Sequence, residues 1–169
     1  MATGLSGAPQ CVHQLHSAWS RPILAKDLPA LLATPAVEGA AMTRDHLSNG
    51  AGLYIFTTTN GEPLPGNCLY IGKADENHHL RGRLGVYARQ FQYAMAGRSG
   101  GFKVNGRLLA HFRAHLGSTW VRWVYVILAR EYEGALIEAY QPTCNRRGEN
   151  PSRYTKSILD EDDVPFLKG

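Results

Sequence analysis

Gly52-Leu53-Tyr54-Ile55-Phe56 and Cys68-Leu69-Tyr70-Ile71-Gly72 are two short apolar runs separated by a single loop. Ile, Tyr and Phe suit a pleated, half-buried surface, so both runs read as strands. Between them lies Thr59-Asn60-Gly61-Glu62-Pro63-Leu64-Pro65-Gly66-Asn67, dense in turn residues. The arrangement predicts a β-hairpin with a long loop. Each strand carries one tyrosine, Tyr54 and Tyr70, and a hairpin can bring their hydroxyls side by side. Lys73 follows the second strand directly.

Downstream, Leu80, Leu84, Tyr87, Phe91 and Met95 recur at steps of four, three, four and four, which is a helix stripe. At about 100° per residue, Arg83 falls about 60° from Leu80, at the margin of the apolar face, and Arg89 lies opposite. Gly82 and Gly85 inside this helix cost about 1 kcal/mol each relative to Ala. Close approach by a strand or a ligand would explain them; a plain weak helix is the alternative. Gly100-Gly101 breaks the chain, and Leu108, Leu109, Phe112 and Leu116 suggest a further short helix. Trp120 to Leu128 is nearly continuous in β-branched and aromatic residues, as expected of a central strand covered on both faces. Trp120, Trp123 and Tyr125 are expected in the core. A helix from about Glu131 to Tyr140 stops before Pro142. Upstream, Ile23, Leu24, Leu28, Leu31 and Leu32 suggest one short helix starting near Pro29.

The order helix, β, β, α, α, β, α predicts a mixed α/β (α+β) domain. Its expected core is a small, mostly antiparallel three-stranded sheet flanked by helices. Residues 1–48 read as an N-terminal extension with a short helix, 49–150 as the main domain and 151–169 as a polar, acidic tail.

The length of 169 residues, 44% of them hydrophobic, is that of one ordinary domain. Such a chain buries about 70% of its unfolded surface and needs no disulfide or zinc staple. No apolar run of about 18 residues occurs, so neither a transmembrane helix nor a membrane partner is expected. The opening MATGLSGAPQ lacks a basic segment followed by an apolar one, so no secretory signal is expected. Cys11, Cys68 and Cys144 are odd in number and lack C-x-x-C spacing, which argues for a reducing, cytoplasmic setting.

Net charge is +4, and its distribution says more than the total. From Asn77 to Arg130 there is no Asp or Glu, while Arg81, Arg83, Arg89, Arg98, Lys103, Arg107, Arg113, Arg122 and Arg130 are all present. A basic block without internal acids is either a field for phosphate polyanions or a plain solvated surface. Acidic charge sits at the flanks, chiefly in Asp160-Glu161-Asp162-Asp163. The simplest reading of that run is a solvated tail. His111 and His115, four apart, have metal-compatible spacing but no third ligand nearby, and His78-His79 reads as a polar loop.

Two phenols, the Lys73 ammonium and the Arg83 guanidinium can converge on one patch. Cationic donors suit the extra negative charge of a pentacovalent phosphate. A phenol beside a cation can ionise in part and activate water.

These elements, in this order, resemble the GIY-YIG nuclease family. The first signature reads Gly52-Leu53-Tyr54, with Leu53 in place of the usual Ile, and the second, Tyr70-Ile71-Gly72, matches in full. Leu80-Arg81-Gly82-Arg83-Leu84-Gly85-Val86-Tyr87 resembles the family's Leu-x-x-Arg-Leu-x-x-Tyr helix, with Arg83 at the arginine position. Glu138-Ala139-Tyr140-Gln141-Pro142-Thr143-Cys144-Asn145 resembles its Glu-x-x-x-Pro-x-x-Asn segment. Fifteen residues separate Tyr54 from Tyr70, a longer gap than is usual in the family, so the loop must bulge or the strands pair in another register.

The resemblance implies a GIY-YIG nuclease fold and a role for each matched residue. Tyr54 would orient or deprotonate the attacking water, Tyr70 would support it, and Lys73 would favour the ionised phenol or touch phosphate. Arg83 would stabilise the transition state, Glu138 would hold one Mg²⁺ (or Mn²⁺), and Asn145 would brace the site. Tyr87 would support it from the position where compact restriction members carry His. Only the resemblance gives Glu138 this role; on the helical wheel it lies about 160° from Leu136, on the polar side. The implied reaction is phosphodiester hydrolysis to 5′-phosphate and 3′-hydroxyl ends. Arg81, Arg89, Arg98, Lys103, Arg107 and Arg113 are the expected contacts to double-stranded DNA. Nothing here reads a 2′-hydroxyl, so RNA stays open. A restriction-type enzyme acting as a homodimer, with a cognate methyltransferase, is the leading expectation. A DNase toxin delivered into another cell and paired with an immunity protein is the rival, and a non-catalytic binding module is the alternative of a different class.

Overall fold

Apolar side chains on both sides of a strand require cover on both sides, and here that demand produces three layers. The computed structural model describes residues 14–15, 18–98, 104–127 and 129–145. Its strands are β1 (Ile23–Leu24), β2 (Gly52–Thr57), β3 (Cys68–Ala74) and β4 (Trp120–Tyr125); its helices are α1 (Leu28–Ala33), α2 (Leu80–Met95), α3 (Gly106–Ala114) and α4 (Ala129–Tyr140). The fold is α+β, with one antiparallel sheet in the order β1-β4-β2-β3. The sheet thus has four strands rather than the three expected. The extra strand comes from residues 23–24, read from sequence as part of a helix; Ile23 and Leu24 pair with Val121 and Trp120. Backbone pairing begins earlier, because Ser20 N–H donates to Trp123 O at 2.8 Å and Ser20 Oγ accepts from Trp123 N at 3.0 Å. Residues Ser20 and Ile23–Leu24 are therefore joined to the sheet.

Alternation divides the strand residues between two cores. Tyr54, Phe56, Tyr70, Val121 and Trp123 pack on one side with Leu80, Leu84, Tyr87 and Phe91 of α2 and with Leu108 and Phe112 of α3. Leu53, Ile55, Ile71 and Val124 pack on the other with Leu136, Ile137 and Tyr140 of α4 and with Trp19. The hairpin keeps Tyr54 opposite Gly72 and Phe56 opposite Tyr70, then shifts, so that Thr57 meets Cys68 and Leu69 is the extra residue of a bulge. The long loop is tied by Asn67, whose Oδ1 accepts from Leu64 N at 2.8 Å and whose Nδ2 donates to Glu62 O at 2.9 Å. The outer edge of β3 is covered by residues 143–145, with Thr143 N donating to Cys68 O and Cys144 N to Leu69 O. No helix among the described residues is long and apolar enough to cross a membrane. Cys11, Lys103, Leu128 and the tail with its acidic run at 160–163 lie outside the described residues.

Candidate functional site

The three tyrosines singled out from sequence meet on the α2 side of the sheet. Tyr54 lies across Gly72: a Cβ there would stand 2.2 Å from its Cζ and 2.3 Å from its hydroxyl oxygen. A Cβ at Gly52 would stand 2.1 Å from the Val124 carbonyl oxygen and 2.6 Å from Leu80 Cδ1. Both motif glycines are therefore clearances rather than turns. The Tyr54 ring centroid lies 6.2 Å from that of Tyr70 and 5.7 Å from that of Tyr87, and Tyr70 and Tyr87 are 6.2 Å apart. Arg83 precedes Tyr87 by one turn and so shares its face of α2. Sequence placed Arg83 at the margin of the apolar stripe; in the fold it is only 4% exposed. The Tyr54 and Tyr87 hydroxyls and Arg83 Nε are all closed to solvent.

Lys73 does not join the phenols by strand alternation. It pairs with Leu53, on the α4 side, and lines a cleft of about 430 Å³ with Asp75, Asn77, Ala129, Arg130 and Glu131. Burial along α4 falls on Ala129, Glu133, Leu136, Ile137 and Tyr140. Glu138, the residue that the resemblance assigns to the metal, is off that stripe and exposed. The buried carboxylate of this helix is Glu133, 0% exposed, with both oxygens closed to solvent. Sequence reasoning missed it, although the signal was present: Glu133 stands three, four and seven residues before Leu136, Ile137 and Tyr140.

Asn145 works on the backbone. Its Oδ1 accepts from Ile71 N at 2.9 Å and its Nδ2 donates to Ile71 O at 3.0 Å, so the amide stands in for a neighbouring strand. Pro142 follows Gln141, which ends α4 at φ 49°. Asn105 Oδ1 caps α3 by accepting from Leu108 N at 3.0 Å, while its Nδ2 donates to Cys144 O at 3.1 Å. The cap of one helix thus fixes the segment that carries Asn145.

The basic residues divide into two groups. Arg81 donates to Leu47 O at 2.9 Å, to Leu32 O at 3.0 Å and to Thr34 O, so its guanidinium ties α2 to the N-terminal segment rather than projecting to solvent. Arg122 is spent likewise on the carbonyls of Ser20, Asn60 and Gly61. Arg89, Arg98, Arg107 and Arg113 are exposed. His111 and His115 have ring centroids 4.4 Å apart, and burial with the neighbouring His115 lowers the His111 pKa. At Asp75 burial alone would raise the pKa, but the His78 and Asn77 backbone N–H groups and the His78 ring bring it below its ordinary value. No group of three or more His, Cys, Asp or Glu gathers as a metal site among the described residues. Comparison with family models, curated proteins and solved structures finds no match.

Proposed function

We propose that the chain is a metal-dependent endonuclease of the GIY-YIG type, hydrolysing DNA phosphodiesters. The observation that carries this reading is the meeting of Tyr54, Tyr70 and Tyr87, with Arg83 one turn from Tyr87, in the motif order the family uses. A guanidinium among phenols favours the phenolate form, and a phenolate can take the proton of an attacking water. The planar fork of Arg83 suits two phosphoryl oxygens and the charge they gain in the transition state. Asn145 acts indirectly, by fixing the strand that carries Tyr70.

The metal implied by the resemblance has one suitable donor on the sheet side of α4, the Glu133 carboxylate. Mg²⁺ accepts one or two carboxylates and completes its shell with water and phosphate oxygens, so Glu133 fits by donor chemistry. Bound there, the ion would neutralise the scissile phosphate and the departing oxygen. Both Glu133 oxygens are shut from solvent, so access requires movement of the side chain or of its surroundings. The closed phenols and carboxylate favour a second reading, a nucleic-acid-binding module without turnover. Restriction, toxin or repair use, a homodimer, and a methyltransferase or immunity partner belong to the same proposal.

The test is digestion of supercoiled plasmid with Mg²⁺ and with chelator. Wild-type protein nicks or linearises it only with the metal. Arg83→Lys loses cleavage by about 100-fold or more, because a point charge cannot replace the bidentate fork. Tyr54→Phe keeps DNA affinity and loses rate. Binding without cleavage by wild-type protein supports the module instead.

A further inference from the structure

We propose that His111 and His115 form an open two-imidazole site for a late first-row transition-metal dication, Ni²⁺ or Cu²⁺. The site uses none of the phenols, Arg83 or Glu133, and it stands whether or not the nuclease reading does. His111 lies in the last turn of α3 and His115 is its C-cap. Positions four apart on a helix put their Cβ atoms about 5–6 Å apart. The two ring centroids are 4.4 Å apart, with 31° between the planes. The side chains therefore lean toward each other instead of splaying into water.

That spacing suits a shared ion. A metal stands about 2.0–2.1 Å from an imidazole nitrogen, which puts it about 3.2 Å from the ring centre. Two rings on adjacent corners of a square or octahedral shell then have centres about 4.5 Å apart, against about 5.2 Å for a tetrahedral shell. The observed 4.4 Å matches the right-angled shells, which Ni²⁺ and Cu²⁺ adopt. Imidazole suits both ions, and water fills the positions that the protein leaves open.

The backbone holds the pair in place. His115 N–H donates to His111 O at 2.9 Å, and His115 O accepts from Ser118 N at 3.1 Å and from Thr119 Oγ1 at 2.9 Å. Thr119 is buried, and its own carbonyl accepts from Ala25 N at 2.8 Å. Next to His111, Phe112 stacks on Phe91 of α2 with centroids 4.0 Å apart. Two ligands on a fixed turn lose little freedom when they chelate. Both rings stay within reach of an ion, His111 half-buried and His115 exposed. Burial and the neighbouring imidazole lower the His111 pKa, so its ring is neutral and has a lone pair to give at pH 7.5. A phosphate would need imidazolium instead, which burial of the ring disfavours. Arg107 and Arg113 are exposed, so water and salt screen their repulsion of a dication.

The experiment is isothermal titration calorimetry of the full chain with Ni²⁺ at pH 7.5, alongside thermal unfolding. Wild-type protein is expected to bind Ni²⁺ at this pair, to bind Co²⁺ more weakly, and to melt at a higher temperature with Ni²⁺ than without. His111→Gln and His115→Gln are each expected to bind Ni²⁺ about tenfold or more weakly, and His78→Gln/His79→Gln to bind it as wild type does. Electron paramagnetic resonance of one equivalent of Cu²⁺ on wild-type protein reads the ligands without any substitution, and two imidazole nitrogens are expected. Equal affinity in wild type and His115→Gln overturns the site, as does a wild type that takes up no Ni²⁺ at about 1 mM. A loss in His78→Gln/His79→Gln equal to that in His111→Gln also overturns it, because the ion then sits elsewhere. Variants that keep Ni²⁺ but lose affinity for a labelled DNA duplex assign the pair to phosphate and overturn it too.

Discussion

Gly72 admits no side chain because the Tyr54 ring occupies the place a Cβ would take. Gly72→Ala must push that ring aside in a packed interior, and overpacking of this kind costs about 1–3 kcal/mol. Urea unfolding is expected to show that loss, with the tyrosine cluster disturbed as well. Asn145→Ala leaves the Ile71 N–H and C=O without their buried partners, an expected loss of about 2 kcal/mol or more in the same measurement. An unchanged midpoint for either variant contradicts the packing described here. At this scale the two tyrosines and Arg83 were legible because strand alternation and helix spacing point them at one face. Glu133 was legible in principle, from its spacing to Leu136, Ile137 and Tyr140. The Glu-x-x-x-Pro pattern points instead to Glu138, which the wheel puts toward water. Lys73, next to Gly72 in sequence, falls on the opposite face of the strand, the side of the sheet that α4 and Glu133 cover.

Helix α2 was the clearest element in the sequence. Its stripe from Leu80 to Met95 coincides with the helix as folded, since five large apolar residues at helical spacing leave little choice. The hairpin was legible too, but its register was not: the bulge at Leu69 depends on how the long loop closes on Asn67. β1 escaped notice because two residues carry no period of their own; they become a strand by lying beside β4. Arg81 belongs to this scale, because it joins elements. Arg81→Met is expected to lower stability by about 1–3 kcal/mol, as the Leu32, Thr34 and Leu47 carbonyls lose a common charged donor. Arg113→Ala, at an exposed position, is expected to leave the unfolding midpoint within about 0.5 kcal/mol of wild type. Chemical denaturation of the pair separates a structural arginine from a surface one.

Across the whole molecule, the α4-side core holds several ionisable groups in their neutral forms. Burial, with the neighbouring Cys144 thiol, pushes the Cys68 thiol well up, and burial pushes Tyr140 up to about 12. Burial also raises Tyr125, at the far end of β4. Each folded pKa lies above its unfolded value, so the folded state holds the proton longer. The associated stability is intact below about pH 9 and is lost as pH rises toward 12. Unfolding midpoints measured from pH 8 to 11.5 are expected to fall across that window, and a flat profile contradicts the burial of these groups. The segment before β1 belongs to the packing as well: Trp19 is 3% exposed, and Ser20 pairs with Trp123 of β4.

The central claim is that a phosphodiester is cut beside the phenols and Arg83 with help from one buried carboxylate. The most direct test is the Mg²⁺-dependent rate of plasmid cleavage by wild type, Glu133→Gln and Glu138→Gln, with folding checked by circular dichroism. The account predicts a cleaving wild type, a near-normal Glu138→Gln and a folded Glu133→Gln slower by about 100-fold or more. A silent wild type, or a dead Glu138→Gln beside an active Glu133→Gln, contradicts it.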